Sequence, residues 1–154
     1  MFQASPAIER FFRTFESNSS SDSNTPSKDI ATTVSQFADV FMAANPQGTQ
    51  AVRAVDFAAV LPRRKQLFES LGHRSTELVS LRETRLDARF VMAATQWKMT
   101  FARDGNEPRD ITVDSVYIVD TGEASSPDGN PRIVFYLASQ DIMQVLKDRG
   151  IASA

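Results

Sequence analysis

The sequence predicts an α+β fold: one curved antiparallel sheet with helices packed on its inner face. Apolar residues recur mostly at helical spacing through the first half of the chain; from Thr76 onward they alternate as strands do. Helices segregated from a run of strands are the pattern of α+β domains. Size is the third observation. A chain of 154 residues, 42% hydrophobic and 23% charged, is expected to form a single domain over 1–154. Its eleven Phe, one Trp and two Tyr are enough to fill one core.

The first helix opens at Ser5-Pro6, with a hydroxyl at the N-cap and proline at the first helical position. Ile8, Phe11, Phe12 and Phe15 make its apolar stripe. Residues Ser17 to Lys28 (SNSSSDSNTPSK) read as a loop between two helices, with Asp22 solvated among serines. A second helix is predicted from about Lys28 to Ala43, with Ile30, Val34, Phe37, Ala38 and Phe41 on one face. Asn45-Pro46-Gln47-Gly48 stops it. A short strand follows at Gln50–Val55. Asp56 is expected to cap a turn through Leu61. Pro62 then starts a third helix that buries Leu67, Phe68 and Leu71 and ends at Gly72.

Thr76–Thr84 is the next strand, and its charges (Arg82, Glu83) suit a sheet edge. Leu86-Asp87-Ala88 turns the chain into a long strand, Arg89–Ala102. Within it Thr95, Trp97, Met99 and Phe101 fall on one side, and Gln96, Lys98 and Thr100 on the other. Asp104-Gly105 marks a hairpin loop. Ile111–Asp120 and Ile133–Ser139 are strands, joined by a loop from Thr121 to Arg132. Asp141, with Gln144 three residues on, reads as the capping box of a short terminal helix. Ile142, Val145 and Leu146 form its apolar face, Gly150 its stop, and Ile151 a contact beyond it.

Composition narrows function by exclusion. A net charge of −2, from 17 basic and 19 acidic side chains, gives no long-range pull toward nucleic acid or anionic membrane. There is no glycine-rich phosphate loop. With no cysteine, thiolate nucleophiles and thiolate metal sites are ruled out, which fits a reducing cytoplasm. His73 is the single histidine, so no nitrogen-rich metal centre is expected, and no cofactor. No basic segment followed by an apolar run opens the chain, and no stretch approaches the ~20 apolar residues of a membrane span. A cytoplasmic protein without membrane contact is the expectation.

Three features carry a resemblance: the paired-helix start with Phe37-Ala38-Asp39, the order of elements, and the long strand ending in Trp97-Lys98-Met99 before a hairpin. On these the chain resembles the nuclear transport factor 2-like, or SnoaL-like, superfamily. That group includes ketosteroid isomerase, scytalone dehydratase, limonene epoxide hydrolase and the SnoaL-like cyclases. The resemblance implies a cone-shaped half-barrel packed on three helices from the N-terminal half, plus a short C-terminal helix. Some members hold a small apolar ligand in the cone; others pack it shut and dimerise through the outer face of the sheet. Fold therefore does not settle function.

The family's chemistry does not carry over. Where ketosteroid isomerase has its basic Asp before Pro, this chain has Asn45, which cannot take a proton at neutral pH. Its oxyanion pair falls on Phe12 and Ser115. The His and Asp of the cyclases and scytalone dehydratase leave His73 as the one candidate His; it reads as an exposed loop residue after a helix. Limonene epoxide hydrolase uses Asp–Arg–Asp. Here Asp114 and Arg89 lie on adjoining strands and read as a surface salt bridge. Asp39, off the stripe of Phe37, Ala38 and Phe41, is expected to face solvent or a loop, and Asp56 and Asp141 to serve as caps and not as bases.

What remains is a wall. Trp97 either packs in the core or backs a flat ligand. Tyr117, Ser115 and Tyr136, with Thr95 and Asn45 at the rim, would supply the few polar groups of an apolar pocket. Met99 and Phe12 complete the candidate set. Catalytic residues stay unassigned. Two readings stand: a pocket protein for a small apolar molecule, with cyclase, isomerase or dehydratase chemistry left open, and a non-catalytic dimerising module with a packed core. The second would present Gln96, Lys98 and Thr100 in a mixed polar patch on the outer face of the sheet. A homodimer suits both readings.

Overall fold

The computed structural model describes residues 1–18, 26–103, 105–122 and 130–152. The order is β1 (Phe2–Gln3), α1 (Pro6–Asn18), α2 (Pro26–Ser35), β2 (Phe37–Asn45), β3 (Gly48–Arg53), α3 (Ala54–Ser70), β4 (His73–Arg85), β5 (Phe90–Phe101), β6 (Arg109–Asp120), β7 (Arg132–Ala138) and α4 (Ile142–Asp148). The strands form one seven-stranded sheet, β1-β4-β5-β6-β7-β2-β3, left open between β1 and β3. It is mixed rather than wholly antiparallel, because β1 runs parallel to β4 and β2 parallel to β7.

The largest departure from the sequence reading lies at residues 37–45. They are a strand, not the second half of a helix, and Phe37-Ala38-Asp39 opens β2 instead of closing α2. Phe37 and Phe41, four apart, share a face in a helix and in a strand alike, so their spacing cannot separate the two. Pairing decides: β2 is bonded to β3 on one side and β7 on the other. Asn45-Pro46-Gln47-Gly48 is therefore the tip of a hairpin; Asn45 Oδ1 accepts from the Gln47 N–H at 2.9 Å. α3 is one helix that runs through Pro62, where a helix start was expected. Pro62 sits on the exposed side. Asp56 is not a cap: Arg53 holds the N-cap position, with no side-chain bond. Leu67 is exposed rather than buried.

β1 is not anticipated by the sequence reading, and it lies along β4, where a sheet edge was expected; β4 also starts ahead of Thr76, and the other elements follow the pattern. Ser5 Oγ sits 3.5 Å from the Ile8 N–H at the start of α1. Asp141 caps α4, accepting from Met143 N at 3.0 Å and Gln144 N at 3.3 Å. The capping box does not close, because Gln144 donates to Asp148 instead. Gly72 has φ +89°, and a Cβ there would lie 2.6 Å from the Ala102 carbonyl oxygen. Only glycine fits that crossing between α3 and β4. The turns predicted at Asp104 and around Asp22 lie outside the described residues.

The core is built on the face of the sheet that carries the helices. One cluster joins Ile8 and Phe12 of α1 to Phe37, Leu78, Val91, Trp97, Tyr117 and Ile133. A second gathers Phe68, Leu71, Met99, Phe101, Ile111 and Leu146 between α3 and α4.

Candidate functional site

β5 alternates without a break: Val91, Ala93, Thr95, Trp97, Met99 and Phe101 are buried, and the residues between them are half-buried. β6 pairs with it in register, so that Thr95 faces Ser115 and Ala93 faces Tyr117. This register brings a chain of polar groups into the apolar wall. Trp97 Nε1 donates to Thr95 Oγ1 at 2.8 Å. Thr95 Oγ1 lies 2.8 Å from Ser115 Oγ and 2.9 Å from the Ser115 carbonyl oxygen. Ser115 Oγ donates weakly to the Tyr117 hydroxyl at 3.4 Å. That contact leaves the phenol proton of Tyr117 for another acceptor. Burial holds the phenol well above its ordinary pKa, so Tyr117 is a neutral donor.

Rings surround these groups. Tyr117 lies 5.0 Å from Phe12 and 5.1 Å from Tyr136, centroid to centroid. Phe15 meets Trp97 edge-on at 6.2 Å. Two cavities border Tyr117 and Tyr136. The smaller, about 310 Å³, is bordered by Trp97, Met99, Ser115, Tyr117, Tyr136 and Asn45. The larger, about 640 Å³, lies between α3 and the sheet, with Phe37, Phe41, Phe57 and Phe68 among its walls. Phe15, Ala43, Arg64, Tyr117 and Tyr136 border both, so the two meet at these side chains.

Six of the eight residues singled out in the sequence thus share one wall. The other two stand behind it. Phe12 is fully buried against Tyr117 and borders neither cavity. Thr95 is buried too and holds the Trp97 indole instead of a rim position.

His73 is the main correction. It is not an exposed loop residue: it is 5% exposed, begins β4 and borders the larger cavity. The strand starts three residues before the predicted Thr76, directly after Gly72, and this carries the imidazole inward. His73 Nε2 sits 2.8 Å from Thr76 Oγ1, with the ring between those of Phe68 (6.1 Å) and Phe101 (5.4 Å). Burial lowers its pKa, against smaller upward pulls from the Ser75 backbone and Glu69, so the imidazole is neutral at pH 7. Sequence reasoning also passed over α3, whose Arg64, Lys65, Asp56 and Glu69 border the same cavity, together with Arg53.

Arg89 and Asp114 do not pair. Arg89 grips Asp120 through two bonds of 2.8 Å, and Asp114 accepts from Gln96 Nε2 at 3.1 Å. The register that sets Arg89 beside the end of β6 leaves Asp114 six residues away along that strand. Among the described residues no group of three or more His, Asp or Glu side chains could hold a metal ion. Among the described residues no helix is long and apolar enough to cross a membrane.

No protein-family model and no curated protein matches the sequence. Solved structures do match in fold. An NTF2-like protein with a cystatin-like fold from Novosphingobium aromaticivorans aligns over 96% of this chain and 88% of its own, at 10% identity and a TM-score of 0.66. A protein provisionally assigned as a ketosteroid isomerase, from Shewanella frigidimarina, aligns over 90% and 100%, at 11% identity and a TM-score of 0.61. One provisionally assigned as a polyketide cyclase, from Xanthomonas campestris, aligns over 95% and 94%, at 13% identity and a TM-score of 0.55. The chain has the nuclear transport factor 2-like fold, shared with these isomerase-like and SnoaL-like proteins. At such identities the likeness is one of fold.

Proposed function

We propose that this protein binds a small, largely apolar molecule between the sheet and α3. One observation carries the reading: the inner face of the sheet is not packed shut. A cavity of about 640 Å³ continues at Tyr117 and Tyr136 into a second of about 310 Å³. Ligand sites commonly measure about 300–1,000 Å³, with aromatic walls and a few convergent polar groups. The rings of Phe37, Phe41 and Phe57 supply the walls, and Tyr117 and His73 the polar groups. Among the lining side chains neutral His73 can accept a proton near pH 7, and the carboxylates of Asp56 and Glu69 border the same cavity, which keeps isomerase- or cyclase-like turnover within reach.

A native mass spectrum of the protein titrated with N-phenyl-1-naphthylamine, a neutral aromatic probe, tests this. One probe per chain at saturation is expected; no retained probe would overturn the reading.

The outer face favours self-association as a second feature of the same reading. Gln96, Lys98 and Thr100, the expected polar patch, are engaged within the chain by Asp114, Glu77 and Asp110. Next to them Met92, Val116, Ile118, Leu137, Phe135 and Met42 stand across from one another on four neighbouring strands. An apolar band of this kind suits a two-fold interface. The same spectrum should show a dimer, and Ile118→Lys a monomer; a wild-type monomer would contradict this part.

A further inference from the structure

The ligand's charge can be read from the place where the two cavities meet. Among the described residues Arg64 is the one cation that borders both; Arg53 and Lys65 border the larger alone. Its guanidinium carbon lies 5.2 Å from the Phe68 ring centroid, which seats the side chain along the cavity wall. Arg64 forms none of the ion pairs among the described residues. Tyr117 borders the same junction and keeps a phenol proton to donate.

Arg64 is an exposed side chain at the mouth of this junction, and a wholly apolar occupant would cover the cavity side of its guanidinium and return nothing to it, which costs free energy. An anionic oxygen placed there would accept charge-assisted bonds from Arg64 and a further bond from Tyr117, while the apolar body took up the aromatic part of the cavity. Arg64 offers the forked donors that match a carboxylate or a similar oxyanion. Resting on the pocket reading, we infer that the ligand is an aromatic or alicyclic monoanion of the carboxylate class, with its charged group anchored at Arg64 and its rings in the larger cavity.

Two fluorescent probes that share one ring system test this. 8-Anilinonaphthalene-1-sulfonate carries an anion; N-phenyl-1-naphthylamine lacks it. Arg64→Gln should weaken the sulfonate by about tenfold, the scale of losing a charge-assisted bond, and leave the neutral probe within about twofold. Arg63→Gln removes the same formal charge from an exposed position that borders neither cavity, and should leave both probes within about twofold. The inference is overturned if Arg64→Gln spares the sulfonate, if it weakens both probes alike, or if Arg63→Gln is as damaging. In those cases saturable binding of the neutral probe leaves the pocket reading standing. Failure of wild-type protein to bind either probe would remove both.

Discussion

Phe12 and Trp97 belong to one core cluster, yet their truncations should differ in an order opposite to their size. Phe12 is 0% exposed, with Phe11, Phe15 and Tyr117 rings at 5.1, 6.1 and 5.0 Å. Phe12→Ala removes a ring with neighbours on every side, and such changes cost about 3–5 kcal/mol. Trp97 is the larger side chain, but it borders the 310 Å³ cavity. Contacts it does not make cannot be lost. Its truncation forfeits the packing against Phe15 and the indole bond to Thr95, the latter about 1 kcal/mol. We expect Trp97→Ala to cost about 2–3 kcal/mol and Phe12→Ala about 4. At about 2–4 °C of Tm per kcal/mol for a chain of this length, the gap is measurable. Urea unfolding followed by far-ultraviolet circular dichroism is the assay, since Trp97 is the single tryptophan and fluorescence would vanish with it. Affinity for N-phenyl-1-naphthylamine should fall about tenfold in Trp97→Ala and stay within about threefold in folded Phe12→Ala. If Trp97→Ala is at least as destabilising as Phe12→Ala, and the probe binds unchanged, Trp97 is core and not a cavity wall.

Further outcomes follow from the same geometry. Burial lowers the His73 pKa, so the unfolded chain binds the proton more readily. Its contribution is full above the unfolded value of about 6.5 and is lost as pH falls from there toward the folded value. Urea midpoints should therefore decline below about pH 6.5, and more shallowly in His73→Gln; parallel profiles would contradict the burial. Gly72 and Gly105 both have positive φ (+89° and +82°), but a Cβ at Gly72 meets the Ala102 carbonyl at 2.6 Å while at Gly105 it meets nothing within 4 Å. Gly105→Ala should cost about 1 kcal/mol and Gly72→Ala about 3 or more, read from denaturant unfolding; equal losses would mean that the α3–β4 crossing has room for a Cβ at Gly72.

The elements with strict periods were legible in the sequence. β5 alternates through twelve residues and β6 from Ile111 to Val119, and α1 shows its stripe and its proline start. β2 was not legible, because Phe37 and Phe41 satisfy helix and strand alike and the deciding hydrogen bonds reach strands distant in sequence. α3 was split at Pro62 because proline marks a first turn more often than it survives inside a helix. The β-sheet half of the site could be read, since alternation alone puts Trp97, Met99, Ser115 and Tyr117 on one face. Its helical half could not. Arg64 lies in an Arg63-Arg64-Lys65 run with no apolar period of its own, and only the packing of α3 across the sheet tells that Arg64 and Lys65 border the cavities and Arg63 does not. His73 was missed by three residues of strand boundary, where boundaries are hardest to place.

The cavity at Trp97 carries its own reporter, because this is the single tryptophan of the chain. The measurement is a titration of wild-type protein with N-phenyl-1-naphthylamine, following the emission of Trp97. A saturable change in that emission with one probe per chain is predicted, reversed when a competing naphthalene carboxylate is added. Emission that stays constant, or drifts without saturation, would mean the tryptophan wall is packed against protein.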